Sequence, residues 1–266
     1  MSTDDRSFRF GGIDRLYGQR ASEAFQRSHI AVAGLGGVGS WAAEALARSG
    51  IGTITLIDMD DVCVSNTNRQ LHALDGQYGR TKTDVMADRL RAINPHADIR
   101  VHFGFVTVGN VPELITTDMD GVVDAIDSVK SKAAMIAHCQ RRKIPLVVAG
   151  GAGGQIDPTQ IQVADLARTT QDPLLAKIRN LLRREYGFSR NPKRRFGIEA
   201  VYSTEQLIYP APGGEVCHQK PDSSGPVRLD CATGFGAATP VTASFGLIAA
   251  SRLLNRIAHR ANAKAD

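Results

Sequence analysis

The feature that most constrains this 266-residue chain is Gly34-Leu35-Gly36-Gly37-Val38-Gly39, set between an apolar run and a helix-like stretch. His29-Ile30-Ala31-Val32-Ala33 before it reads as a buried strand, and Ser40 to Ser49 after it as a helix closed by Gly50. Glycines in that setting let the backbone turn tightly and approach a phosphate or ribose, while the next helix N-terminus offers free amides. Asp58 ends the following apolar run, Thr53 to Asp58, 19 residues beyond Gly39. There it is placed to accept hydrogen bonds from ribose hydroxyls. A tight turn without a ligand has no use for that acid, so the segment reads as a nucleotide site. By itself the motif fits NAD as well as ATP.

The same alternation continues downstream. Thr81 to Ile93 is helical and ended by Asn94-Pro95, Ile99 to Phe103 and Val122 to Ile126 are strands, Ser128 to Lys143 is a helix, and Pro145 to Ala149 is strand-like. Repeated strand–helix units predict an α/β fold, a Rossmann-like, doubly wound, mostly parallel sheet with helices on both faces. After Gly150 the texture changes to a C-terminal extension. A glycine-rich stretch, Gly150 to Gly154, leads to a strand over Gln160 to Leu166 and a helix from Asp172-Pro173 to about Tyr186. Apolar residues at Leu247, Ala250, Leu254 and Ile257 predict an amphipathic helix over Thr239 to His259, packed on the body.

Hydrophobic residues make up 42% and charged residues 22% of the chain, a globular composition that excludes disorder as the main state. Cys63, Cys139, Cys217 and Cys231 form no Cys-x-x-Cys pair, which argues against a zinc ribbon and against a disulfide framework. The polar N-terminus does not read as a secretory signal. The long uncharged run Ala232 to Ser251 holds Pro240, three glycines and five hydroxyl residues, and such a run inserts poorly into a membrane. The expectation is a soluble protein of the reducing cytoplasm, without a membrane span. The net charge of +5 is concentrated: Lys177, Arg179, Arg183, Arg184, Arg190, Lys193, Arg194 and Arg195 face Glu185 alone, a surplus of seven, so the other residues sum to −2. A basic helix face is usually only solvated, but eight cations running into an irregular loop favour RNA phosphate contact. The expectation is a phosphate-tracking surface beside the nucleotide site, with Tyr186, Phe188 and Phe196 either stacking on bases or packing.

The stretch after Asp58 separates the nucleotides. Asp60, Asn66, Arg69 and Gln70 follow within a few residues, and Gly79-Arg80-Thr81-Lys82 comes next. A dehydrogenase has little use for Asn-x-x-Arg-Gln plus a lysine here, whereas a nucleotidyl transferase needs cations where charge develops on leaving pyrophosphate. Asp127, in Val123-Asp124-Ala125-Ile126-Asp127-Ser128, is read as ending a strand at the sheet's carboxyl edge, where it would hold Mg²⁺. Singly, each is more often a surface charge or a helix cap; in this order they form a constellation.

GLGGVGS, LIDMDDVCVSNTNRQ, GRTK and DAIDS together resemble the ubiquitin-activating and sulfur-carrier adenylyltransferase superfamily over roughly residues 9–165. That resemblance implies adenylation of a carboxylate by MgATP with release of pyrophosphate. It implies that Gly34, Gly36, Gly37 and Gly39 form the nucleotide loop, with Asp58 on the ribose. Asn66, Arg69 and Lys82 would bind the phosphates, Asp60 and Gln70 would belong to the same cofactor site, and Asp127 would hold the metal. Arg15 is similar to an N-terminal arginine that reaches a partner subunit's ATP, which implies a homodimer. Residues 1–165 are then the ATP-binding adenylation domain and 166–266 the extension, joined in one continuous globular unit. Without zinc-holding cysteine pairs, but with Gly150 to Pro158 (GGAGGQIDP), the basic helix-loop and Leu229 to Gly236, the whole chain resembles the zinc-free, tRNA-modifying branch of the superfamily. That branch implies activation of the threonylcarbamoyl carboxylate on a tRNA adenosine, closure of a ring by a nearby nitrogen, and loss of water overall. The sulfur-carrier side of the superfamily implies a sulfur-transfer protein as a further partner.

Cys231, in Leu229-Asp230-Cys231-Ala232-Thr233-Gly234, is a candidate nucleophile in glycine-rich surroundings and equally a small buried apolar residue. Cys63 is expected to pack beside the site, and His29 and His72 to be structural or surface residues. Three rival functions stand against the tRNA reading: activation of the C-terminus of a ubiquitin-like or sulfur-carrier protein, an NAD-dependent oxidoreductase, and a silent RNA-binding scaffold. The missing cysteine pairs and the basic segment oppose the first. Arg69, Lys82 and Asp127 oppose the second, and the intact ATP-site residues oppose the third.

Overall fold

The computed structural model describes residues 4–219 and 235–263. Two helices come first, α1 (Asp4–Tyr17) and α2 (Gln19–Arg27). There follow β1 (His29–Ala33), α3 (Gly39–Arg48), β2 (Thr53–Asp58), α4 (Lys82–Ile93), β3 (Asp98–Phe103), α5 (Val111–Leu114), β4 (Gly121–Asp124), α6 (Val129–Arg142) and β5 (Leu146–Ala149). The later part contributes β6 (Ile161–Asp165), α7 (Pro173–Glu185), β7 (Glu199–Ser203), a small ribbon of β8 (Tyr209–Pro210) and β9 (Val216–Cys217), and α8 (Thr239–Ala263).

Seven strands form one sheet in the order β3-β2-β1-β4-β5-β7-β6, all parallel except β6, which runs antiparallel to β7. The doubly wound, mostly parallel sheet read from the sequence is the one observed. β1 is wholly buried, and its alternating side chains feed two cores. Ile30 and Val32 join Phe25, Leu46, Met86 and Phe245 under α2, α3, α4 and α8, while Ala31 and Ala33 join Met135, Ile136, Leu175 and Leu182 under α6 and α7. The strand order reverses between β1 and β4, which opens a crevice at the carboxyl ends of the strands.

Local chemistry explains the element ends. Thr81 caps α4 by accepting from the Asp84 amide at 3.2 Å, and Asp172 caps α7 by accepting from the Leu175 amide at 2.8 Å. α6 stops at Lys143, which adopts the left-handed region at φ 58°. Three features differ from the sequence reading. The first two helices carry no sharp start signal and were not anticipated; α2 closes over the sheet through Ala21 and Phe25. β7 was also missed, although it enters the sheet between β5 and β6 and so brings residues beyond 165 into the same sheet as β1. β4 ends at Asp124, not Ile126, because Asp124 turns inward to a buried lysine and the chain leaves the sheet. Asp127 therefore stands in the loop before α6.

Candidate nucleotide cleft

A cleft of about 410 Å³ lies at the carboxyl edge of the sheet, where the strand order reverses. Gly34, Gly36, Gly37, Asp58, Asp60, Asn66, Arg69, Gln70, Lys82 and Asp127 all line it, so the structure brings together ten of the residues singled out from the sequence. The loop glycines serve different ends. Gly34 has φ 85°, and a Cβ there would stand 2.8 Å from the Ala125 carbonyl oxygen. A Cβ on Gly39 would fall 1.7 Å from the Gly34 carbonyl oxygen, so Gly39 closes the turn and does not itself line the cleft. Gly36 has nothing within 4 Å of such a Cβ, which leaves room for a ligand.

The acid at the end of β2 organises this edge. Asp58 accepts from the Leu35 amide at 2.5 Å and from the Asp60 amide at 2.8 Å, tying the glycine loop to the chain that follows β2. Lys82, nearly buried at the start of α4, donates to Asp60 at 2.6 Å. Arg69 donates to the Ser65 carbonyl at 2.8 Å and to Asn68 Oδ1 at 2.9 Å, with no carboxylate partner among the described residues. Its charge is oriented without being neutralised. Asn66 is buried and accepts from the Cys63 amide at 3.0 Å, and Gln70 is buried with Oε1 lacking a partner among the described residues.

Asp127 is exposed on the 125–128 loop and makes no hydrogen bond or ion pair among the described residues. The described residues hold no group of three or more His, Cys, Asp or Glu able to cage a metal. A single free carboxylate of this kind fits a magnesium ion that takes its other ligands from phosphate and water. The sequence reading missed the cleft's apolar wall of Ile57, Met59, Phe105, Val106 and Ile126. The signal was available, because Gly104-Phe105 directly follows β3 and loops after successive parallel strands converge on one edge.

Beneath the 125–128 loop lies a buried ion pair. Lys132 and Asp124 are both fully buried, with Nζ 2.8 Å from Asp124 Oδ1. Burial pushes the Asp124 carboxyl up and the ammonium acts against it; burial likewise raises the Cys139 thiol to about 12, with Asp124 adding to the shift. His72, behind Lys82, is almost fully buried, with neither ring nitrogen partnered among the described residues. Burial, with the nearby Lys82 and Arg89 charges, lowers its pKa to about 4, so it is neutral. His29 is also structural, held between Asp118 at 3.2 Å and Thr55 at 2.8 Å.

Other expected residues lie elsewhere. Arg15 is exposed on α1 and does not line the cleft of its own chain. Cys231 falls outside the described residues. Cys63 is exposed, not packed, because its backbone is taken up by Asn66 while the side chain faces outward. The basic segment does not sit beside the cleft throughout its length. Arg190 to Arg195 precede β7, which is parallel to β5, so they lie at the amino edge of the sheet, opposite the cleft. Lys177, Arg184, Arg190, Lys193, Arg194 and Arg195 are exposed, whereas Arg179 is bonded to Thr169 and Arg183 lies 5.4 Å over the Phe196 ring. Phe188 and Phe196 pack edge to face at 4.9 Å in the core, which accounts for them without bases.

Fold and cleft together define an α/β protein of the Rossmann-like, nucleotide-binding class. The ThiF family model matches residues 13–265, and the chain belongs to that family. It is 58% identical over 253 residues to the tRNA threonylcarbamoyladenosine dehydratase of Escherichia coli, across 95% of this chain and 94% of the relative. The crystal structure of the E. coli enzyme in complex with ATP superposes with a TM-score of 0.87 at 52% identity, and its complex with AMP gives 0.87 at 53%, each covering 98% of both chains. The molybdopterin-synthase adenylyltransferase of E. coli is 36% identical over 125 residues, 47% of this chain and 50% of the relative.

Proposed function

We propose that this chain is an ATP-dependent, carboxylate-adenylating enzyme that dehydrates threonylcarbamoyladenosine in tRNA. The observation that carries the reading is the convergence of Asp58, Arg69, Lys82 and Asp127 on one cleft at the strand-order reversal. Similarity along nearly the whole chain to the E. coli dehydratase supports the RNA substrate, while similarity to the E. coli molybdopterin-synthase adenylyltransferase spans about half of it.

A carboxylate resists acyl transfer because oxide is a poor leaving group. The substrate carboxylate attacks the α-phosphorus of ATP, the bond to the bridging oxygen breaks, and pyrophosphate departs. A nitrogen of the same substituent then attacks the activated carbonyl and gives up its proton to water, the acyl–oxygen bond breaks, and AMP leaves with one former carboxylate oxygen. Nucleophile and electrophile share one molecule, which gives a high effective concentration. Asp58 holds the ribose, and Gly36 and Gly37 let the backbone meet the phosphates. Arg69 and Lys82 stabilise the charge that grows on pyrophosphate, with Lys82 leaving Asp60 for phosphate as ATP enters. Asp127 is the residue that would hold magnesium, which neutralises charge on the triphosphate when bound.

Arg15 reaches the cleft of a second copy, making the active unit a homodimer. Residues 1–165 carry the adenylation chemistry. Within 166–266, the basic segment binds RNA phosphates, Cys231 is the candidate nucleophile, and a sulfur-transfer protein is the further partner. The reaction belongs in the cytoplasm with the RNA; among the described residues no helix is long and apolar enough to cross a membrane.

Mass spectrometry of nucleosides, after incubating the protein with modified tRNA, ATP and Mg²⁺, tests this. The expected signal is threonylcarbamoyladenosine lighter by one water, with AMP and pyrophosphate formed in equal amount. Unchanged tRNA together with an adenylated carrier-protein C-terminus would overturn the reading.

A further inference from the structure

Lys132 lies in the first turn of α6 with its side chain fully buried, and none of the roles assigned above uses it. Its ammonium reaches three acceptors: Asp124 Oδ1 at 2.8 Å, the Asp124 carbonyl at 3.1 Å and the Ile126 carbonyl at 2.9 Å. Those acceptors bracket Ala125, so the three bonds fix the peptide path that leads to Asp127. The same path is held from the other side. The Ala125 amide donates to the Ala33 carbonyl at 2.8 Å, and the Ala125 carbonyl presses against Gly34 where no Cβ fits.

Burying an ammonium costs several kcal/mol, and a well-packed apolar pair of similar volume is often as stable as a buried ion pair. Stability therefore gives no reason for a charge here. What an apolar side chain cannot supply is three directed bonds to one loop. Asp172, also buried, feels the same ammonium and accepts from the Gly151 amide at 2.9 Å, so the charge is shared with the neighbouring loop after β5.

We propose that Lys132 is a positioning residue: through Asp124 and the Asp124 and Ile126 carbonyls it sets where Asp127 stands relative to the glycine loop. This rests on the reading of Asp127 given above.

Lys132→Met alone strands a buried carboxylate and is expected to melt early. The informative variant is Asp124→Asn combined with Lys132→Met, which removes both charges at nearly constant volume. It is expected to melt within a few degrees of the parent and to bind ATP in metal-free buffer as the parent does. Its kcat should fall about 10–100-fold, the size typical for losing a supporting group behind a metal ligand, and half-maximal turnover should need more Mg²⁺. Lys132→Arg keeps the charge without the same three-way geometry and should fall between.

The decisive step adds Asp127→Asn. If Lys132 acts through Asp127, removing the pair in that background costs less than about twofold, since coupled sites are non-additive. Parental kcat and Mg²⁺ requirement in the paired variant, or an equal loss with and without Asp127, would overturn the proposal. Near-parental activity of Asp127→Asn alone would instead remove the assignment on which it rests.

Discussion

At the carboxyl edge of the sheet, Lys82 and Asp58 are held by the protein before any ligand arrives, whereas the exposed cations of the basic segment stand in solvent. Lys82 is 7% exposed and fixed on Asp60, and both Asp58 oxygens accept backbone amides. Arg184, by contrast, is 68% exposed with only its neighbour Glu185 for a partner among the described residues. Preorganised groups cost no reorientation at the moment of reaction and act where water is partly excluded, so each is worth much. Solvated cations act collectively and weakly through counterion release. On the function proposed above, the first edge serves the chemistry and the second holds a polyanion.

Four sets of substitutions sharpen or break that contrast. Asp127→Ala and Arg69→Ala should each lower pyrophosphate release on the order of 10²–10³-fold with the melting temperature unchanged. Near-normal turnover in both would remove the distinction between the edges.

The glycine loop gives the next effect. Gly39→Ala places a methyl against the Gly34 carbonyl and should destabilise the fold by about 1–3 kcal/mol or more. Gly36→Ala meets nothing in the protein and should keep its urea midpoint while weakening ATP binding in calorimetry. Equal stability losses in the two would contradict the division of labour among the glycines.

Acid sensitivity should trace to His72. Its folded pKa of about 4 lies below the ordinary 6.5, so between those values the unfolded chain takes up a proton that the folded chain refuses. Stability then falls as pH drops from 6.5 towards 4, by up to roughly 3 kcal/mol. Asp124 and Asp172, raised by burial, pull the other way. Both remain in His72→Leu, so the difference in pH dependence of the urea midpoint between the two chains isolates the histidine. Parallel curves would show that it contributes nothing.

The smallest effect belongs to the amino edge. Arg194→Glu with Arg195→Glu should weaken tRNA binding about tenfold and flatten the salt dependence by one or two phosphate contacts, leaving ATP affinity alone. Anisotropy titrations at several salt concentrations read both; an unchanged slope would mean that the segment is only solvated. Arg195 lies beside Asp165, Glu199 and Arg252, the last two ion-paired at 2.8 Å, so acids partly balance the cations at this end of the segment.

Local sequence determined the strand-turn-helix around Gly34 to Gly39, the caps at Thr81 and Asp172, and most of the cleft. Those features depend on backbone conformations and bonds spanning a few residues, and a parallel α/β sheet delivers the ends of its strands to one edge whatever fills the rest. Only the tertiary structure decided that β7 enters between β5 and β6, because those pairings join residues roughly 34 to 52 positions apart. For the same reason it alone put Arg190 to Arg195 at the edge opposite the cleft. It also revealed that Asp124 is spent on Lys132 while Asp127, three residues on, makes no bond among the described residues. Both are aspartates in one short motif, and what separates them is burial, which no pattern of spacing records.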